Sequence, residues 1–102
     1  MKYGLPEEAI ARIRDVFQSF PAVDRAILYG SRAKGGYKTG SDIDLTLEGV
    51  DLTPDSRAKI ALKLDDLLLP YEIDLSLRLS LNHPELQEHI NRVGLVFSER
   101  NH

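Results

Sequence analysis

A chain of 102 residues, 42% apolar and 28% charged, has the composition of an ordinary soluble globular protein, and we predict a single domain spanning residues 1–102. The formal net charge of −3 argues against a general nucleic-acid-binding face, because such binding depends on Lys and Arg displacing counterions from phosphates. No apolar run could span a membrane, no secretory signal is recognisable and no cysteine is present, so we expect a cytoplasmic protein.

The first half of the sequence predicts one long helix and two strands separated by a glycine-rich loop. Apolar residues recur at helical spacing over residues 7–20, and a short apolar run over residues 23–29 predicts a mostly buried strand. Residues 31–34 suit the first turn of a short helix, after which three glycines mark a loop. Alternating apolar and polar residues then predict a second strand over residues 42–48.

The second half predicts two more helices and a third strand. A Thr53 cap followed by proline begins a helix that ends before Pro70, and residues 71–79 alternate as a strand. A cap at residues 82–84 begins the last helix, after which residues 95–97 form either a short strand or a docked tail. The order αβαβαβα indicates an α+β domain whose small mixed sheet is covered mainly on one face by helices.

A glycine-rich, basic turn follows the first strand. Gly30 allows close backbone approach, and Ser31 offers a hydroxyl and a backbone N–H. Arg32, Lys34 and Lys38 add three positive charges without an acidic residue, which favours a small anionic ligand. The alternative is a plain hairpin turn with solvated basic side chains. The turn lacks the Lys-Ser or Lys-Thr pair of the P-loop pattern, which argues against ATP hydrolysis of that kind.

Three aspartates follow this turn. Alternation along a strand places Asp42 and Asp44 on one face, with their Cα atoms roughly 6 to 7 Å apart, so both carboxylates can reach one ion. Hard oxygen ligands favour Mg²⁺ or Mn²⁺ over zinc. A chain of this length with nine aspartates is expected to contain about one Asp-x-Asp by chance, so the pair alone is weak evidence for a metal site. Asp74 on the polar face of another strand strengthens the interpretation, because three carboxylates beside a phosphate-binding turn describe a two-metal phosphoryl-transfer site.

Residues 28–35 (Leu-Tyr-Gly-Ser-Arg-Ala-Lys-Gly), 41–45 (Ser-Asp-Ile-Asp-Leu) and 73–75 (Ile-Asp-Leu) resemble the nucleotidyltransferase superfamily that includes DNA polymerase β and kanamycin nucleotidyltransferase. The chain is most similar to the minimal nucleotidyltransferase (MNT) proteins, and the order and spacing match across nearly its whole length. The resemblance implies a polymerase β palm-like fold, two Mg²⁺ ions or Mn²⁺ in their place, and ATP as the donor.

The resemblance also implies a role for each matching residue. For binding the nucleotide, the implied residues are Gly30, Ser31, Arg32 and Lys34. For metal binding and catalysis, they are Asp42, Asp44 and Asp74. Many MNT proteins are paired with a helical HEPN-domain protein and act as antitoxins by transferring AMP to a tyrosine of that ribonuclease. A hetero-oligomer with a HEPN toxin is therefore implied, which suits a small acidic domain without an acceptor-binding module.

Two other interpretations remain open at this stage. Residues 42–46 also fit the Asp-x-Asp-x-Thr pattern of haloacid dehalogenase-type phosphatases, although the polar residues before them suggest that the pair enters a strand instead of leaving one. The second alternative is a non-enzymatic antitoxin that neutralises its partner by binding alone. The acceptor is likewise open among a partner tyrosine, a small molecule and an RNA end.

The remaining polar residues are expected to lie outside the site. His83 is expected to cap a helix, His89 to face solvent and His102 to be a terminal residue without a role. Glu48 and Glu72 share strand faces with the aspartates and are expected to be solvated.

Overall fold

The computed structural model describes residues 1–100, which form a four-stranded sheet with helices on both faces. The elements in chain order are α1 (Glu7–Gln18), β1 (Arg25–Tyr29), α2 (Ser31–Lys34), β2 (Ile43–Glu48), α3 (Pro54–Asp65), β3 (Ile73–Leu77), α4 (Pro84–Val93) and β4 (Leu95–Glu99). Each predicted helix and strand is present, and residues 95–97 belong to a strand. His102 lies outside the described residues.

The sheet is mixed, as predicted. Its strand order is β3-β2-β1-β4, in which β1 pairs antiparallel with both β2 and β4. Strands β2 and β3 are parallel, and α3 makes the crossover between them, as a parallel pair requires. Strand β3 is shorter than predicted because residues 78–80 turn into a 3₁₀ helix.

The main core lies between one face of the sheet and the helices α1 and α3. Alternate residues of the three strands β1 to β3 point to this face, because side chains in a strand alternate between faces. The buried side chains include Ile13, Phe17, Leu28, Ile43, Leu45, Ile60 and Leu75. None of the helices within residues 1–100 is both long and apolar enough to cross a membrane.

Most of the helices lie on the main-core face, as predicted, and helix α4 covers part of the opposite face. Ile90 packs against Ile27 and Tyr29, the residues of β1 that point away from the main core. Strand β1 is apolar on both faces because it is a central strand that is covered on both sides. The neighbouring strands carry Asp44 and Asp74 on this second face. Helix α4 therefore stands beside a polar strip of the sheet.

The predicted helix caps are confirmed. Thr53 and Ser56 form a capping box at the start of α3. At the start of α4, His83 Nδ1 accepts a hydrogen bond from the backbone N–H of Leu86. The expected capping role of His83 is therefore correct.

Candidate active site

Three polar side chains form a row across the second face of the sheet. Asp44 on β2 pairs with Tyr29 on β1 and with Asp74 on β3. Adjacent strands are about 5 Å apart, so the two aspartates are direct neighbours. Asp42 is exposed and lies immediately before β2, so the Asp-x-Asp pair does enter a strand. This order contradicts the dehalogenase alternative, in which the first aspartate follows a buried strand.

The three aspartates form one electrostatic cluster. The pKa of Asp44 is raised above its ordinary value of 3.8, first because the carboxyl is partly buried, and then because of the negative charges of Asp74 and Asp42. A carboxylate in such surroundings either takes up a proton or recruits a cation. The structure thus places the three residues that the sequence predicted as metal ligands within electrostatic range of one another.

The same three carboxylates suit a hard divalent cation. All of their ligand atoms are oxygens. Asp44 is held on a buried strand, whereas Asp42 and Asp74 are exposed and free to turn. Within residues 1–100, no three His, Cys, Asp or Glu side chains are already gathered closely enough to form a metal site. Asp42 and Asp74 would therefore have to rotate towards Asp44 to share an ion with it.

The raised pKa of Asp44 predicts that the metal-free protein loses stability as the pH rises from about 4 towards neutrality. The folded state binds this proton more tightly than the unfolded chain, so the contribution is complete below the ordinary pKa and is lost as pH rises through the folded-state pKa. Urea unfolding of the wild type and of Asp44→Asn across this range measures it. The stability of Asp44→Asn relative to wild type should increase with pH, and a constant difference would contradict the prediction.

The glycine turn lies directly against this cluster. Gly30 follows β1 with φ of 75°, and a Cβ added to it would come within 2.2 Å of Asp44 Oδ2. Glycine is required here both by the left-handed backbone and by the close approach of the carboxylate. Ser31 begins α2 and is partly exposed, and Lys34 ends α2 as an exposed residue. The predicted phosphate-binding turn and the predicted metal ligands are therefore in contact through Gly30 and Asp44.

Arg32 has a different environment from the one predicted. Its side chain is only 2% exposed and packs against the rings of Tyr37 and Tyr71. Its guanidinium donates hydrogen bonds to the backbone carbonyls of Tyr3, Thr39 and Ser41. These bonds hold the loop that leads to Asp42. Arg32 is not available to a nucleotide in this structure, which corrects the prediction, because backbone carbonyls already occupy its donors.

Replacing Arg32 with lysine should lower the free energy of unfolding by about 2 to 3 kcal/mol, because an ammonium cannot reproduce the forked bonds and leaves buried carbonyls unpaired. Denaturant unfolding measures this loss. The matched control is Lys34→Ala, two residues away, which should change the same quantity by less than about 0.5 kcal/mol because Lys34 is exposed. Equal effects of the two substitutions would contradict a structural role for Arg32.

Two residues at this site were not expected from the sequence. His89 was expected to face solvent, but its Nε2 accepts a hydrogen bond of 3.2 Å from the backbone N–H of Gly30. Its ring also meets that of Tyr29 edge-on, with centroids 6.2 Å apart. The helical spacing of the sequence could have indicated this packing, because position 89 lies three residues after Leu86 and four before Val93, both on the packed face of α4.

Tyr29 is the second unexpected residue. The pKa of its hydroxyl is raised, first by burial and also by the negative charges of Asp74 and Asp44, while contact with Ser76 partly offsets the increase. The hydroxyl therefore favours its protonated form and lies within electrostatic range of the two carboxylates. The sequence did not reveal this placement, because an aromatic residue at the end of an apolar strand usually belongs to the core.

A separate cavity of about 550 Å³ borders the site at Asp42. Its walls include Asp65, Tyr71 and Glu72, so its charged groups are negative. Such walls repel a triphosphate. Neither Gly30 nor Ser31 lines this cavity, so it lies outside the predicted phosphate-binding turn.

A mixed sheet that presents paired aspartates beside a glycine-serine turn defines a nucleotidyltransferase domain. The sequence matches the family described as "Polymerase beta, Nucleotidyltransferase" over residues 11–102, and the chain belongs to this family. This membership confirms the predicted fold and the predicted class of enzyme. A comparison with curated proteins found no match.

Several solved structures are similar to this chain. One is a chain from a toxin–antitoxin crystal structure with AMP-PNP, with TM-score 0.70 and 24% identity over 95% of this chain and 76% of that chain. Another comes from a complex of a tri-AMPylated Shewanella oneidensis HEPN toxin with an MNT antitoxin, with TM-score 0.68 and 21% identity over 92% and 72%. A third is from the toxin–antitoxin MntA-HepT, with TM-score 0.67 and 21% identity over 93% and 74%. At these identities the likenesses establish the shared fold.

Proposed function

We propose that this chain transfers a nucleoside monophosphate, AMP from ATP, to a tyrosine hydroxyl of a HEPN-domain partner and so acts as an antitoxin. The observation that carries the proposal is the contact between the Gly30 turn and Asp44, which itself pairs with Asp74 across the sheet. A donor bound at the turn would have its phosphates next to the carboxylates. We propose residues 1–102 as a single nucleotidyltransferase domain.

We propose the residue roles that the family resemblance implies, and this placement supports them. Gly30 and Ser31 would hold the β- and γ-phosphates of the donor, with Lys34 as an exposed cation nearby, while Asp42, Asp44 and Asp74 would hold two Mg²⁺ ions. When bound, these ions supply charge neutralisation at the attacking oxygen and at the departing pyrophosphate.

Asp74 is the proposed proton acceptor. It is more exposed than Asp44, so an incoming hydroxyl can reach it. The hydroxyl oxygen forms a bond to the α-phosphorus while the bond from that phosphorus to the bridging oxygen breaks, and the hydroxyl proton passes to Asp74. Pyrophosphate is the leaving group. Asp44 is partly buried on an inner strand, so the rigid sheet would fix the position of its carboxylate relative to the donor.

The acceptor is proposed to be a protein because the chain itself is small and acidic. Its net charge of −3 disfavours an RNA acceptor, and the residues described offer no second domain to grip a small molecule. A hetero-oligomer with a helical HEPN protein would present the hydroxyl. Two similar structures support this choice, since one contains a HEPN toxin that carries AMP and the other contains AMP-PNP.

The direct test is incubation with each labelled nucleoside triphosphate, Mg²⁺ and the co-purified partner, followed by mass spectrometry of every protein present. We expect one or more nucleoside monophosphates on a partner tyrosine, with ATP the preferred donor. Absence of any adduct, together with absence of nucleotide binding, would overturn the proposal.

Neutralisation by binding alone is the alternative function. It is favoured by large apolar side chains on the surface, among them Leu68 at 88% exposed and Leu79 at 75%. Variants Asp42→Asn and Asp44→Asn that still form the complex separate the two functions. Loss of neutralisation in these variants supports catalysis, whereas unchanged neutralisation supports the binding function.

A further inference from the structure

His89 connects helix α4 to the Gly30 turn, although the two residues are 59 positions apart in sequence. Its side chain is partly buried and makes two contacts with consecutive residues: the ring meets Tyr29, and Nε2 accepts the N–H of Gly30. A backbone N–H can only donate, so Nε2 must carry the lone pair, and in the neutral ring the proton is on Nδ1. The histidine therefore acts here as a hydrogen-bond acceptor.

Gly30 has no side chain through which it could be anchored, so its position depends on backbone contacts. One side of it lies against Asp44 Oδ2, and its N–H is held by His89. Because that N–H is already used, Gly30 contributes to phosphate binding by allowing close backbone approach, and the nearest donors for the phosphates are the N–H and hydroxyl of the next residue, Ser31. The orientation of Ser31 in turn depends on how Gly30 is held.

We propose that His89 is a positioning residue that holds the Gly30 turn in the conformation that binds the donor phosphates. This inference rests on the proposed function, since it assigns a role within the same site. It adds α4 to the donor site, whereas the family motif lies in the first two strands, the turn between them and β3. A shift of His89 would loosen Ser31 and relax the contact of Gly30 with Asp44.

Helix α4 should remain docked without His89, which makes the inference testable. Ile90 is 2% exposed and anchors the helix to β1. At the opposite end of the sheet face, Arg78 Nε donates to Gln87 Oε1 over 2.6 Å, and Gln87 Nε2 donates back to the carbonyl of Arg78. Arg78 also forms an ion pair of 3.4 Å with Glu48. These contacts do not involve His89.

Two substitutions separate the hydrogen bond from the packing. His89→Phe keeps an aromatic ring against Tyr29 but removes the acceptor, while His89→Gln offers an amide oxygen in its place. Glu88→Gln is the control on the same helix, because Glu88 is exposed and pairs only with the exposed Arg92 among the described residues. The measurements are thermal unfolding, the ¹⁵N–¹H resonance of Gly30, and the affinity for a non-hydrolysable ATP analogue with Mg²⁺.

We expect His89→Phe to shift the Gly30 amide resonance upfield and to weaken nucleotide binding about fivefold, the effect of one ordinary hydrogen bond. The loss should persist at temperatures where the variant is fully folded. His89→Gln should recover part of the affinity, and Glu88→Gln should match wild type.

Two results would overturn the inference. If wild type binds the analogue and His89→Phe binds it equally well, His89 has no positioning role, whether or not its thermal stability has fallen. If wild type itself fails to bind, the proposed function fails and this inference fails with it. The wild-type measurement therefore distinguishes the two failures.

Discussion

Replacing Asp44 with asparagine should reduce nucleotide transfer by about 1000-fold while leaving the fold intact. Asparagine has the shape of aspartate but no charge, so it cannot help to bind divalent cations that stabilise the transferring phosphoryl group, an effect of several kcal/mol. The fold should survive because the negative charge of Asp44 destabilises the folded, metal-free protein, as its raised pKa indicates. Single-turnover transfer of labelled AMP to the partner measures the loss.

Asp51→Asn is the matched control, since Asp51 is exposed in the turn between β2 and α3. This variant should transfer at the wild-type rate. Circular dichroism and complex formation should be unchanged for both variants. If Asp44→Asn retained more than about a tenth of wild-type activity, the assignment of the metal site would be wrong.

Gly30→Ala should impair both stability and transfer. The added Cβ would sit 2.2 Å from Asp44 Oδ2, in a residue with φ of 75° that L side chains rarely adopt. We expect a loss of about 2 to 4 kcal/mol in the free energy of unfolding from strain and steric overlap. Transfer should fall by at least about 100-fold, because Asp44 must move away from its position. Urea unfolding and the transfer assay measure the two effects.

Gly35 provides a close control for the backbone strain alone. It has φ of 95°, but nothing lies within 4 Å of a Cβ built on it. Gly35→Ala should therefore cost about 1 kcal/mol of stability and change transfer little. The difference between the two variants isolates the contact with Asp44. Equal losses of activity would show that the close approach of Gly30 to this carboxylate has no functional importance.

The secondary structure was predictable because apolar periodicity and capping residues agree along most of the chain. The alternation of residues 42–48 placed β2 to within one residue of its observed range, Ile43–Glu48, and Thr53 marked the start of α3. The position of α4 was not predictable from its own sequence. It depends on Ile27 and Tyr29, which give β1 a second apolar face, and an apolar run in a strand does not say which helix will cover each side.

Strand alternation was enough to place Asp44 and Asp74 on the polar faces of their strands, and the parallel pairing of β2 with β3 makes them neighbours. Arg32 was misread because a basic residue in a glycine-rich turn looks like an anion ligand. Its hydrogen bonds to Tyr3 and Ser41 form only when the N-terminal segment packs beside the loop. Such long-range pairing leaves no local mark in the sequence, and the same holds for the bond between Gly30 and His89.

Calorimetric titration of a non-hydrolysable ATP analogue, with and without Mg²⁺, tests the central claim that the Gly30 turn and the aspartates form one site. We predict that Mg²⁺ tightens binding to wild type by at least about tenfold, because the ion joins the phosphates to the carboxylates. Asp44→Asn should lose most of this dependence. Binding of equal strength with and without Mg²⁺, or no binding in either condition, would contradict the assignment of this face as a nucleotidyltransferase site.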